Sequence, residues 1–95
     1  GLRMVSRMAA LELGPHGITS NLLCPEGAVT DMNRDLLSDP QVLHQLENKI
    51  PAGRFGTVDE IAAAAAFLAS DEAAYINGAE LVHDGGITIS SLWWR

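Results

Sequence analysis

Residues 25–30 read P-E-G-A-V-T: a proline, an acid, a glycine turn, two small apolar residues and a hydroxyl. They follow a run of mostly apolar residues, 18–24, that reads as a strand ended abruptly by Pro25. In open α/β sheets ligands bind just beyond the carboxyl ends of strands, and that rule selects residues 25–30 as the candidate binding segment. Other chemistry is hard to find. There is no G-x-S-x-G elbow for a hydrolase and no H-E-x-x-H. One cysteine and three scattered histidines give no zinc spacing. No G-x-G-x-x-G or Walker pattern is present to cradle phosphates. Asp59 and Glu60 read as helix-start carboxylates rather than an acid–base pair. His16 reads as a solvated turn residue. His44 and Glu47, three apart, read as a solvated helix face rather than a metal site, and Cys24 as a buried, inert thiol. From the residues alone, the chain assigns itself neither a catalytic side chain nor a metal ligand.

The elements that must position this segment follow from periodicity and punctuation. Residues 1–13 predict a helix whose few polar residues include the stripe Arg3, Ser6 and Arg7. A helix this apolar is expected to meet the sheet on one side and another helix or subunit on the other. G-P-H-G at 14–17 stops it and turns the chain into the strand. Residues 18–24 are expected to be buried on both faces, because their apolar run is continuous. Residues 31–37 predict a short helix. Asp39 as cap and Pro40 at the first helical position open a second, with Val42, Leu43, Leu46 and Ile50 on its apolar stripe. Two short helices after a ligand segment suggest a lid. Residues 51–56 connect to a capping box, Thr57 with Glu60, and a helix running to about Ala69. Its alanine block, 62–66, lets a neighbour approach closely. After a turn at 75–78, residues 79–83 predict a second strand, closed by Asp84-Gly85-Gly86. The apolar tail 87–95, with Trp93 and Trp94, is expected to pack on a neighbour.

The order is helix, strand, lid helices, helix, strand. A strand–helix–strand connection of this length implies a parallel pair with a right-handed crossover. The class is therefore α/β, the C-terminal part of a Rossmann-type doubly wound parallel sheet. Two strands do not make a stable covered sheet by themselves. The chain also opens inside a helical pattern, with no cap and no initiator Met. A larger body is the expectation, residues 1–95 being the C-terminal segment of a single domain. The chain's 95 residues carry a net charge of −6 with no Lys/Arg cluster, which argues against nucleic acid as a partner. No apolar run reaches the ~18 residues of a membrane span, so no membrane is expected and a cytoplasmic location is the default.

Three blocks carry a resemblance. They are A-A-L-E-L-G-P-H-G-I-T-S-N-L-L-C-P-E-G-A-V-T-D-M, I-P-A-G-R-F-G-T-V-D-E-I-A, and F-L-A-S-D-E-A-A-Y-I-N-G-A-E-L-V-H-D-G-G. In this order and spacing the chain resembles the short-chain dehydrogenase/reductase family over residues 1–88. The resemblance implies a Rossmann fold that transfers hydride between NAD or NADP and a small-molecule alcohol or carbonyl substrate. The family's phosphate loop, its catalytic Ser and its Tyr-x-x-x-Lys pair precede the part seen here, the Lys falling just before Gly1. There, a Tyr of lowered pKa exchanges a proton with the substrate oxygen, Lys assists it and Ser orients the substrate.

What the resemblance carries onto this chain is the nicotinamide side of the site. Asn21 and Pro25 match the family pattern at its spacing. Ala28 falls on the Ile/Val position, whose backbone amide and carbonyl hold the carboxamide, and Thr30 on the Thr that adds a hydroxyl. The implied cofactor-binding residues are Pro25, Glu26, Ala28 and Thr30. Glu26 departs from the family, which has Gly there. That puts an acid near the cofactor phosphates and leaves Gly27 to absorb the turn. Asp31 and Met32 lie where family lids begin and border substrate on that analogy. The first helix, the alanine-rich helix and the last strand resemble the elements of subunit interfaces, implying a homo-oligomer, tetramer or dimer. The alternative is a catalytically silent, truncated piece that only packs against homologous subunits.

Overall fold

The computed structural model describes residues 1–90. The elements run α1 (Leu2–Leu13), β1 (Leu22–Pro25), α2 (Arg34–Leu37), α3 (Pro40–Glu47), α4 (Val58–Leu68) and β2 (Glu80–His83), with 3-10 turns at Gly14–His16 and Asp71–Ala73. The strands pair in one sheet. Leu22 N–H donates to Ala79 C=O and Glu26 N–H to His83 C=O, a register that advances equally on both strands and is therefore parallel. The chain divides into two compact units, one of Gly1–Cys24 with Ala62–Val82 and one of Pro25–Ile61 with His83–Arg95.

In the first unit α1 packs inward on small residues, while Arg3 and Arg7 of its polar stripe stay largely exposed. Ser6 and Ala10 are the buried positions of the helix. Ser6 Oγ lies 3.1 Å from Ser20 Oγ. Arg3 Nε and Arg7 stand 2.6 and 3.6 Å from Glu80 Oε1. The long apolar residues point away instead: Leu2 is 72% and Leu11 74% exposed, with Met4, Val5 and Met8 exposed between them. Small residues, Ser6 and Ala10, form the buried face of the helix.

The strand expected over 18–24 begins only at Leu22 and runs one residue further, through Pro25. Two asparagines explain the shortening. Ser20 N–H donates to Asn77 Oδ1 at 2.9 Å, and Asn77 Nδ2 reaches Ala10 C=O at 3.1 Å. Asn21 Nδ2 donates to Ile76 C=O at 3.1 Å, while its Oδ1 accepts from Ala79 N–H at 2.9 Å. Side-chain amides thus satisfy backbone groups that a longer ladder would have used. The strand is half-buried rather than covered on both faces, and Cys24 is likewise half-buried. The alanines at 62, 63, 65 and 66 of α4 are exposed.

The second unit follows its local signals closely. Asp39 Oδ1 accepts from Gln41 N–H at 2.9 Å with Pro40 in the first turn of α3. At the start of α4 the capping box is reciprocal: Glu60 N–H donates to Thr57 Oγ1 at 3.1 Å and Thr57 N–H to Glu60 Oε1 at 3.0 Å. α2 is shorter than the 31–37 expected, because residues 31–33 form a turn before it. Leu37 and Ile50 are the buried apolar residues here. Asp84 accepts from Gly86 N–H and Thr88 N–H, both at 2.8 Å, and shapes the exit from β2. The Thr88 hydroxyl, which also donates to Asp84, and then the Thr88 N–H hold the Asp84 carboxyl below the usual carboxylate range. Trp93 and Trp94 lie outside the described residues.

Candidate functional site

The segment after β1 is held at almost every peptide plane. Glu26 N–H closes the ladder on His83 C=O at 3.0 Å. The next residue reverses the chain: Gly27 has φ of 70°, and no non-glycine residue adopts a positive φ among the described residues. Gly27 therefore absorbs the turn, and Glu26, in place of the family's glycine, keeps an ordinary backbone conformation. A Cβ at Gly27 would stand 2.6 Å from Ile87 Cδ1, so a side chain there would also have to push the end of Ile87 aside.

Gly56 then grips the segment from one side. Its N–H donates to Gly27 C=O at 2.9 Å and its C=O accepts from Val29 N–H at 3.1 Å. This is an isolated parallel bridge between Ala28 and Gly56. Asn33 grips it through a second pair of bonds. Asn33 Nδ2 donates to Ala28 C=O at 2.9 Å and its Oδ1 accepts from Thr30 N–H at 2.8 Å. Asn33 N–H returns a bond to Thr30 C=O at 3.2 Å. The peptide plane joining Ala28 and Val29 is thereby held at both ends, by Asn33 at its carbonyl and by Gly56 at its N–H.

What remains free defines what the site can do. Ala28 N–H has no acceptor among the described residues. Ala28 C=O keeps a second lone pair after its bond to Asn33. The Thr30 side chain is exposed and its hydroxyl has no partner among the described residues. One fixed donor, one acceptor and one adaptable hydroxyl within three residues suit a primary carboxamide, which carries a C=O and an NH₂ on one carbon. The residues present therefore fit the nicotinamide end of NAD or NADP. Pro25 and Glu26 are exposed at the strand end. Asp31 pairs with Arg34 at 3.0 Å on the surface, and Met32 is exposed. His16 and His44 are exposed too, and among the described residues no cluster of His, Cys, Asp or Glu is placed to hold a metal.

Behind Gly56 the chain is braced by charge. Arg54 forms two parallel bonds to Glu60, at 2.8 and 2.7 Å. Arg54 first, then the Thr57 N–H, pull the Glu60 carboxyl down to about 2. Sequence reasoning missed Asn33 and Gly56. An Asn three residues after a Thr is a local signal for the first, since Asn side chains often bond nearby backbone. Gly56 carried none, because its partners lie about thirty residues away in sequence.

Residues 1–88 match the protein family described as enoyl-(acyl carrier protein) reductase. D-erythrulose reductase of Gallus gallus is 43% identical over 89 residues, covering 94% of this chain and 36% of that protein. A solved oxidoreductase of the short chain dehydrogenase/reductase family from Burkholderia thailandensis superposes with a TM-score of 0.84 at 38% identity, over 94% of this chain and 35% of that one. A gluconate 5-dehydrogenase from Burkholderia cenocepacia, solved in complex with NADP and tartrate, gives 0.79 at 39% identity over 93% and 34%. The chain spans about a third of the length of these relatives, and its parallel α/β arrangement is part of the Rossmann fold they share. Among the described residues no helix is long and apolar enough to cross a membrane.

Proposed function

The chain belongs to the short-chain dehydrogenase/reductase family, and from that premise we propose that it is the nicotinamide-side segment of an NAD- or NADP-dependent oxidoreductase acting on an alcohol or carbonyl substrate. The observation that carries the reading is the clamped segment 28–30, with a free Ala28 N–H, a spare lone pair on Ala28 C=O and a free Thr30 hydroxyl. A bound NAD or NADP supplies the hydride acceptor or donor. Ala28 N–H would donate to the carboxamide oxygen, and Ala28 C=O and Thr30 Oγ1 would take its NH₂ group, so these residues would orient the nicotinamide toward substrate. Residues 31–50, as the lid, exclude water from that face. Proton exchange with the substrate oxygen belongs to the Tyr-x-x-x-Lys pair and the Ser of the preceding part of the family fold. NADP in the gluconate 5-dehydrogenase complex supports the cofactor class.

The exposed Leu2, Met4, Val5, Met8 and Leu11 of α1 support a subunit interface and hence a homo-oligomer, tetramer or dimer, and the cytoplasm is the location proposed for it. A second reading, a silent packing piece, has one observation in its favour. The single tyrosine, Tyr75, is not followed by lysine four residues on, so these 95 residues alone hold no proton-transfer pair.

The test is the intact mass and N-terminal sequence of the native polypeptide, followed by an assay for alcohol-dependent reduction of NAD and NADP. A polypeptide about three times as long, with Tyr-x-x-x-Lys just before Gly1 and hydride transfer, is the expected result. A native product of 10.1 kDa starting at Gly1 and without hydride transfer contradicts it.

A further inference from the structure

We propose that Asn33 is the positioning residue of the carboxamide site: its side-chain amide, rather than the segment's own sequence, holds Ala28 and Thr30 in the geometry that receives the nicotinamide. The inference rests on the reading above that residues 28–30 face the carboxamide. Asn33 makes three bonds to the segment, two through its side chain at 2.8 and 2.9 Å and one through its N–H at 3.2 Å. Both ends of an amide are needed. Oδ1 must accept from Thr30 N–H while Nδ2 donates to Ala28 C=O, and among short side chains only Asn offers both groups at this reach.

The alternatives are poor. Ala28, Val29 and Thr30 carry neither glycine nor proline to fix their angles, and Gly56 grips only the Gly27 carbonyl and Val29 N–H. Without Asn33, the Ala28 carbonyl and Thr30 N–H are free to turn to water, and the free Ala28 N–H loses its fixed aim. Asn33 also precedes α2, where it makes no side-chain cap bond to the helix. Its amide is committed to the segment instead. This links the first turn of the lid to the carboxamide site, so the segment and the start of α2 order together.

The test compares dissociation constants for NADPH or NADH with those for ADP-ribose or its 2′-phosphate, which lack nicotinamide. It uses the native full-length polypeptide, wild type, Asn33→Ala and Asn33→Asp. Asn33→Asp keeps the shape and the acceptor but removes the donor, so it serves if Asn33→Ala fails to fold. The expected result is about tenfold weaker binding of the dinucleotide in each variant, as expected for the loss of one or two net hydrogen bonds. ADP-ribose binding should stay within about twofold of wild type on the same basis. Equal weakening for both ligands would mean a merely structural role and overturns the proposal, as does unchanged dinucleotide binding. A wild-type protein that binds neither ligand overturns the oxidoreductase reading and this proposal with it.

Discussion

Gly27 takes the positive φ of the turn after β1, and Glu26 beside it keeps an ordinary backbone conformation. Because Gly27 sits at φ 70°, an alanine there meets both the left-handed penalty of ~1–2 kcal/mol and the Ile87 methyl. Gly27→Ala is expected to lower the unfolding midpoint by several degrees and to weaken dinucleotide binding, read by thermal denaturation and titration. Thr30→Val removes a hydroxyl that has no partner among the described residues, so folding should be unchanged. Dinucleotide binding should weaken about three- to tenfold, the loss of one net hydrogen bond. Glu60 gives a pH signature. Its pKa is depressed to about 2 in the fold, so its contribution is present above the unfolded carboxylate value of about 4.3 and is lost as pH falls toward 2. In Glu60→Gln the start of α4 should show no change over that window. The carboxyl shift of Glu60 in an NMR titration reads the midpoint directly, and a midpoint near 4.3 contradicts the Arg54 pairing.

At the scale of elements, what was legible was what neighbours in sequence decide. The Thr57–Glu60 box and the Asp39–Pro40 start are written within four residues, and both formed as expected. The first strand was misread in extent because Asn21 and Asn77, some fifty-six residues apart, take its opening bonds through their side chains, a tertiary event that no periodicity records. For α1 the excess of apolar residues was legible but not which of them turn inward: Ser6 and Ala10 are buried, while Leu2, Met4, Val5, Met8 and Leu11 stay exposed. The candidate site shows the same division: the strand-end rule selected residues 25–30 and the resemblance named Pro25, Glu26, Ala28 and Thr30 among them, while neither pointed to Asn33 and Gly56, which hold that segment's backbone. Asn21→Ala would leave the Ile76 carbonyl and Ala79 N–H without partners. It should destabilise by ~1–3 kcal/mol, measured by urea unfolding of the full polypeptide.

At the scale of the molecule, the exposed apolar face of α1 asks for a cover. In the whole protein Met8→Lys or Leu11→Glu should shift the assembly toward smaller species in sedimentation without disturbing the capping box at Thr57. The central claim is narrower, that residues 28–30 receive the nicotinamide carboxamide. The amide resonance of Ala28 in the ¹⁵N-labelled full-length protein tests it most directly, titrated in parallel with NADP and with 2′-phospho-ADP-ribose, or with NAD and ADP-ribose. The account predicts that Ala28 N–H moves downfield with the dinucleotide and stays in place with the ligand that lacks nicotinamide. An Ala28 amide that ignores both ligands, or follows both equally, would contradict it.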